Sequence, residues 1–389
     1  MKIIIGSISF YPNISGVAIA TRLLARSLAS HGHEVVVIAP AQTRRNYVER
    51  ANTAGITIHR LAAIPNPLRH GFFIPYLPKK QVTRIVDEFK PDIIHLQDPT
   101  NLAMVLIEQA QKNTIPVIIT HHFTFEFVLS YLPSKFRRLT KQALEKQLVH
   151  LYNRADAIIA PTQTIRTTLK EIGVTPPIHV ISNGVDINRF QGSSKKSGKK
   201  IVLYLGRLDQ DKSLDVLIEA FGNIRTQLDA ELIVAGTGDY SQTLRQLVIK
   251  KNLSKSVTFT GAIDHEDPLL VDIFRRADVF AMPSTIESQS IATMEAMAAG
   301  KPIVAARAGA LPELVKHGTN GYLFEAGDSA KLATYVTTLL RNKKLAERMG
   351  KKSRTLIASH GLAKSHRLVE ELYLSIIKSA HRTGLKEKV

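Results

Sequence analysis

Short, wholly apolar runs recur along this chain, and helix-period segments fill the gaps between them. Lys2-Ile-Ile-Ile-Gly6, Glu34-Val-Val-Val-Ile-Ala39, Asp92-Ile-Ile-His95, Pro116-Val-Ile-Ile-Thr120 and Ala157-Ile-Ile-Ala160 read as strands buried on both faces. Between the first two, Thr21 to His31 carries Leu23, Leu24, Leu28 and Ala29 at helical spacing and stops at Gly32. Strands alternating with helices imply a parallel sheet covered on both faces. Ligands then bind at the carboxyl ends of the strands. The series restarts at Ile201-Val-Leu-Tyr-Leu205 and continues through Glu231-Leu-Ile-Val-Ala235, Val257 to Ile263 and Asp278-Val-Phe-Ala281. A chain of 389 residues is too long for one ordinary core. The expected fold class is therefore α/β, with two Rossmann-like domains over 1–190 and 201–365. The segment 191–200 is polar, small and charged, and reads as a linker.

The bulk numbers narrow the partners. No apolar run reaches the length that spans a bilayer. Ile3 to Ile5 is broken by Gly6 and does not form a signal-peptide core, so a cytoplasmic location is expected. The chain has no Cys, which excludes disulfides and thiol catalysis. The net charge of +19 seeks an anionic partner. Nucleic acid is disfavoured, because Trp is absent, aromatics are 6% and no nucleic-acid-binding motif is present. An anionic membrane surface fits better. In the segment 131–146, Lys135, Arg137, Arg138, Lys141 and Lys146 interleave with Leu132, Phe136, Leu139 and Leu144. The segment 67–80 is aromatic, Pro-broken and basic, with Phe72 and Phe73 at its centre. The first of these patterns also fits a surface helix packed by its apolar stripe. On the membrane reading, Phe72, Phe73, Lys135, Phe136, Arg137, Arg138 and Lys141 are the expected contacts, with the protein peripheral on the inner face of the cell membrane.

Chemistry concentrates in Met282 to Pro302. A buried strand feeds a loop of small polar residues, and a helical pattern starts near Ser290 and stops at Gly300 and Pro302. The N–H groups of Ser290, Ile291 and Ala292 then open a helix whose positive end suits a phosphate. Glu287 and Glu295 frame that end, and carboxylates accept well from vicinal sugar hydroxyls. Arg207 and Lys212 follow the strand 201–205 and would meet a diphosphate there. Gly16 precedes another helix and would let backbone approach a phosphate, although a turn glycine explains it equally well. After the strand ending at Thr120 come His121 and His122. Adjacent histidines with no carboxylate at ligand spacing make a poor metal site.

The pattern Glu287, seven residues, Glu295, a small-residue helix and Gly300-Lys-Pro-Ile-Val-Ala305 resembles the donor-site signature of retaining family 4 (GT4) glycosyltransferases of the GT-B fold. Gly206-Arg-Leu with Lys212, Asn183-Gly-Val-Asp186 and Thr120-His-His122 extend the resemblance over nearly the whole chain. It departs at Ser290, where the family has Gly, and at Ser15-Gly16, where it often has Gly-Gly. The run from Thr120 to Thr162 looks most like bacterial diacylglycerol glucosyltransferases and their glycolipid-synthesising relatives. The resemblance implies two domains facing across a cleft, the second binding a nucleotide sugar and the first an acceptor. It implies a final helix, 366–389, that returns to the first domain. It places Arg207 and Lys212 on the donor phosphates, Glu287 on the hexose, Glu295 on the ribose, Ile263 at the base and His122 beside the sugar. It implies retention at the anomeric carbon. Catalysis without a metal or other cofactor is expected, because no Asp-x-Asp metal motif is read at a strand end and Arg207, Lys212 and the helix end supply positive charge. The expected product is a glycolipid, with diacylglycerol as the lipid acceptor. A soluble or polyprenyl-linked saccharide acceptor, or nucleotide-sugar binding without catalysis, are the alternatives. UDP and GDP, and glucose, galactose and mannose, remain open.

Overall fold

The computed structural model describes residues 1–13, 15–50, 55–66, 71–122, 129, 134–192 and 198–386. Its contacts divide the chain into two compact units, Met1–Ser182 with Ala363–Val389, and Asn183–Leu362. Parts of the two basic segments (67–70 and 131–133), of the run after the histidines (123–127) and of the linker (193–197) lie outside the described residues.

The first unit is built on eight strands: β1 (Lys2–Gly6), β2 (Glu34–Pro40), β3 (Tyr47–Arg50), β4 (Ile56–Leu61), β7 (Ile93–Leu96), β8 (Val117–Thr120), β9 (Ala157–Ala160) and β10 (Ile178–Val180). A separate small pair, β5 (Ala63–Pro65) and β6 (Phe73–Pro75), lies beside them in sequence. The sheet order is β10-β9-β8-β7-β1-β2-β4-β3. Only β3 runs antiparallel. Alternate side chains sort to the two faces, as strand geometry requires. Ile4, Val36, Ile38, Ile94 and Ile119 meet α2 (Lys79–Phe89), α3 (Asn101–Lys112), α4 (Ser134–Tyr152) and α5 (Gln163–Glu171). Ile3, Ile5, Val35, Val37, Ile93 and Ile118 meet α1 (Gly16–Ser30) and the closing helix Leu362–Lys386, which buries Val369, Leu372 and Tyr373.

The second unit starts at Asn183, earlier than the expected end of the first domain at 190 and the expected start of the second at 201. The short helix α6 (Ile187–Phe190) sets Phe190 edge-on to Phe274 at 5.4 Å, inside the second core. Six parallel strands follow: β11 (Lys200–Leu205), β12 (Ala230–Ala235), β13 (Val257–Gly261), β14 (Val279–Met282), β15 (Ile303–Ala306) and β16 (Gly321–Phe324). Their order is β13-β12-β11-β14-β15-β16. Sheet growth reverses direction between β11 and β14, and such a switch point opens a crevice at the strand ends. In the first sheet the corresponding reversal lies between β1 and β7. The covering helices are α7 (Leu214–Arg225), α8 (Ser241–Lys250), α9 (Pro268–Arg276), α10 (Ile291–Ala298), α11 (Leu311–Leu314), α12 (Ser329–Arg341) and α13 (Lys343–Ile357), so the closing helix is α14.

One glycine is required where β11 and β12 end. Gly236 has φ +135°, and a Cβ there would lie 1.9 Å from the Gly206 carbonyl oxygen. Backbone bonds Gly206 N–H to Ala235 O (3.0 Å) and Gly236 N–H to Gly261 O (2.8 Å) prevent easy retreat. Gly236→Ala should lower folding stability by about 2–3 kcal/mol. Urea denaturation measures this, and a midpoint equal to wild type would contradict the packing.

Candidate functional site

In the second unit the loops after β11 and β14 come together at the switch point. The Lys212 ammonium donates to Glu287 Oε1 at 2.9 Å, to the Ile286 carbonyl at 3.0 Å and to Ser284 Oγ at 3.4 Å. Asp211 Oδ2 lies 3.3 Å from it. Arg207 donates to the Asp209 carboxylate and stands 3.7 Å from Asp211 Oδ2. The two loops are tied by Thr285, whose N–H and hydroxyl both donate to the Asp211 carbonyl at 3.2 Å. The Lys212 and Glu287 side chains are only 13% and 12% exposed, so their attraction is weakly screened.

A third loop fixes Glu287 from behind. Ala310 N–H donates to the Glu287 carbonyl at 2.9 Å. Gly309 has φ +51°, and a Cβ on it would fall 2.5 Å from that same carbonyl oxygen. The chain can pass so close only as glycine.

Helix α10 begins beside this cluster. Ser290 is its N-cap, and its hydroxyl oxygen accepts from Thr293 N–H at 3.4 Å. That gives Ser a local use at the position where the family has Gly. The N–H groups of Ile291 and Ala292, both half-buried, lie in the first turn. Glu295 sits one turn further in, 2% exposed, with Oε1 2.9 Å from His265 Nε2. Arg189 donates to His265 Nδ1 at 3.1 Å and to the His265 carbonyl. A donor on Nδ1 leaves the ring proton on Nε2, where it bonds Glu295. Ile263 is buried two residues before that histidine.

Six expected residues of the second unit thus gather around two loops and one helix end: Arg207, Lys212, Glu287, Ser290, Ile291 and Ala292. Sequence reasoning missed Asp209, Asp211 and His265. The expectation that no Asp-x-Asp motif stands at a strand end is corrected here: Asp209-Gln-Asp211 has that spacing just after β11. The cations also do not wait unpaired. Three carboxylates, Asp209, Asp211 and Glu287, already face Arg207 and Lys212.

In the first unit, Gly16 is exposed at the first position of α1, with Ser15 as N-cap. The strand ends next to it form a polar cluster. Asp98 accepts from Ser7 Oγ and Ile8 N–H, both at 2.9 Å. His121 is structural: its Nδ1 meets the Tyr152 hydroxyl at 2.9 Å inside the core. His122 Nε2 lies 2.9 Å from Gln97 Oε1. Burial, and then His121, hold the His122 imidazole down to about 3, and burial and His122 do the same to His95. Both rings are neutral near pH 7.

The two expected membrane segments separate. Lys135, Phe136, Arg137, Arg138 and Lys141 are all exposed on α4. Phe136 is 50% exposed and the neighbouring Leu139 is 69% exposed. Phe72, by contrast, is buried at 9% exposure and Phe73 is half-buried in β6, so Phe72 presents no side chain to a lipid surface. β6 pairs with β5 from Phe73 on, and the Phe72 carbonyl accepts from Asn66 N–H at 2.8 Å. Tyr76 and Leu77 are the exposed apolar groups there. Among the described residues no helix is long and apolar enough to cross a membrane.

The buried histidines give this unit an acid response. Burial also lowers His366, with help from His31, to about 4. The unfolded chain takes up these protons near the ordinary value of 6.5, whereas the folded chain resists until about 3 to 4. Stability is therefore full above pH 6.5 and falls progressively below it. The urea midpoint of the first unit should drop between pH 7 and pH 5, and a flat or rising profile would contradict the assignment.

Comparison with known proteins agrees with this architecture. The family model for glycosyl transferases group 1 matches residues 186–356, and that for glycosyltransferase family 4 matches residues 14–189. The phosphatidyl-myo-inositol mannosyltransferase of Mycobacterium leprae is 30% identical over 339 residues, which cover 84% of this chain and 83% of that protein. The alpha-monoglucosyldiacylglycerol synthase of Streptococcus pneumoniae is 27% identical over 321 residues, covering 78% of this chain and 71% of that protein. Among solved structures, sucrose-phosphate synthase from Thermosynechococcus elongatus is similar in fold. Its TM-score is 0.83 and its identity 22%, over 97% of this chain and all of that one (100%). The chain belongs to the family 4 glycosyltransferases and has the two Rossmann-like domains of the GT-B class.

Proposed function

We propose that the protein transfers a hexose, with retention and without a metal, from a nucleotide sugar of UDP-glucose or GDP-mannose type to a membrane lipid, diacylglycerol in the first instance. The observation that carries this reading is the cluster of Arg207, Lys212 and Glu287 against the N-terminus of α10. It combines donors for a diphosphate with an acceptor for sugar hydroxyls. The lipid acceptor is supported by the two relatives above, whose names place lipids among their substrates or products, and by the basic, apolar outer face of α4.

In the proposed reaction the bond between the anomeric carbon and its phosphate oxygen breaks, and the electron pair stays on the departing diphosphate. The acceptor hydroxyl attacks the same face of the oxocarbenium-like carbon, and its proton passes to the departing phosphate oxygen. Arg207, Lys212 and the first N–H groups of α10 would stabilise the growing phosphate charge. For Lys212 to do so, the phosphate must share or displace its bond to Glu287, which then turns to the hexose hydroxyls. Glu295, oriented by His265, would accept from the ribose. Ile263 would lie at the base and Gly16 would let backbone approach the donor. Neutral His122 would hydrogen-bond the sugar. The Asp-x-Asp carboxylates, Asp209 and Asp211, are already opposite Arg207 and Lys212, which favours metal-free catalysis. Peripheral attachment to the inner face of the cell membrane follows from the same reading.

The test is a transfer assay with labelled UDP-glucose or GDP-mannose and anionic liposomes with and without diacylglycerol. Label should enter the lipid phase only with diacylglycerol, and excess EDTA should not reduce it. Donor hydrolysis without lipid labelling would move the acceptor to a saccharide. Donor binding without any turnover would leave a binding protein. Lys212→Ala and Glu287→Ala should each lower kcat/KM by about 10²–10³-fold. Near-normal turnover in either variant would remove that residue from the site. Replacing Arg137, Arg138 and Lys141 together by Glu should weaken vesicle association by at least about 10²-fold, at roughly 1 kcal/mol per cation. Unchanged association would contradict the role of α4.

A further inference from the structure

A buried chain of side chains joins the closing helix α14 to His122. Tyr373 on α14 is fully buried, and its hydroxyl lies 2.5 Å from His95 Nδ1. On the other side of that ring, His95 Nε2 is 3.1 Å from Gln97 Nε2 and 2.7 Å from Thr120 Oγ1. The far end of the same amide, Gln97 Oε1, is 2.9 Å from His122 Nε2. All four groups are neutral, so each imidazole carries one ring proton and must choose a nitrogen for it.

Gln97 makes the two choices depend on each other. One end of its amide only donates and the other only accepts. With the NH₂ toward His95, that ring must present a bare Nε2 and hold its proton on Nδ1, toward Tyr373. His122 must then donate from Nε2 to the Gln97 carbonyl, leaving its own Nδ1 bare. Turning the amide over reverses every bond in the row. In either polarity, one of the two Nε2 atoms carries a proton and the other does not. The Thr120 and Tyr373 hydroxyls can each donate or accept, so neither excludes a polarity by itself. Tyr373 meets Nδ1, so a proton held on that nitrogen is paired only while the Tyr373 hydroxyl is there to accept it.

We propose that Gln97 couples His95 and His122 into opposite tautomers, and that Tyr373 of the closing helix thereby positions the proton of His122. With the Gln97 amide oxygen turned toward His122, His122 holds its proton on Nε2 and has Nδ1 as its acceptor nitrogen. Tyr373, His95 and Gln97 are positioning residues. The consequence for catalysis rests on the proposed role of His122 at the sugar; the coupling itself does not.

The experiment is ¹⁵N NMR of the full chain labelled at histidine, in which bare and protonated ring nitrogens have distinct shifts. Resonances of His95 and His122 are assigned by loss in His95→Gln and His122→Gln, against the 14 histidines of the chain. In the unaltered protein the two rings should show opposite tautomers, with His122 protonated on Nε2. Tyr373→Phe removes the partner of a buried His95 Nδ1–H, so His95 should move its proton to Nε2 and His122 should switch to Nδ1. Gln97→Met should break the coupling, so that adding Tyr373→Phe no longer changes His122. Like tautomers in the unaltered protein, or a His122 indifferent to Tyr373→Phe, would overturn the proposal. The wild-type spectrum alone decides the first point if a variant fails to fold. Transfer by Tyr373→Phe should lose about tenfold in kcat with KM little changed. If the tautomers switch but kcat does not, the coupling stands and the role of His122 at the sugar fails.

Discussion

Strands buried on both faces leave only their ends to carry chemistry. Ile3, Ile4, Ile5, Val202 and Leu203 have no exposed surface. A polar side chain in such a strand loses its hydration and must find a partner, as His95 in β7 finds Tyr373 and Thr120. The reactive groups therefore collect after β1, β7 and β8 in one unit and after β11, β13 and β14 in the other. The reversals of strand order beside β1 and β11 choose which ends are roomy enough for a ligand.

The second consequence is electrostatic. A site meant for a diphosphate would repel its own cations if they stood alone, and burial would raise that cost. Here the cations rest against carboxylates: Lys212 on Glu287 and Asp211, Arg207 on Asp209. The fold holds them in place before any ligand arrives. Exchange of Glu287 for phosphate at Lys212 would then free the carboxylate for sugar hydroxyls, linking phosphate recognition to hexose recognition through one ammonium. Gly309 lets the third loop press close enough to hold the Glu287 backbone during that exchange.

Much of this was legible in the sequence, for physical reasons that also explain the gaps. The strands announce themselves because fully buried parallel strands need unbroken apolar runs. The helix start near Ser290 was legible because small polar residues followed by an apolar helical pattern mark such a start, and the helix begins at Ile291. What the sequence hid are contacts between separate loops. His265 finds Glu295 from 30 positions away, and Thr285 reaches the Asp211 carbonyl from 74. The segment around Phe72 shows the opposite error. Its composition suits a lipid surface, but the Phe72 ring is buried just before β6. The second domain was expected from 201, but the second unit begins at Asn183, and Phe190, read as the end of one domain, packs on Phe274 in the other core.

The central claim is that the switch point of the second unit holds the nucleotide diphosphate. Hydrogen–deuterium exchange with and without UDP-glucose or GDP-mannose tests it most directly. The account predicts that a bound donor slows exchange in the backbone amides of 206–213 and 290–293 and leaves the far ends of the same strands unchanged. A donor that binds tightly yet leaves both of those segments unprotected would contradict it.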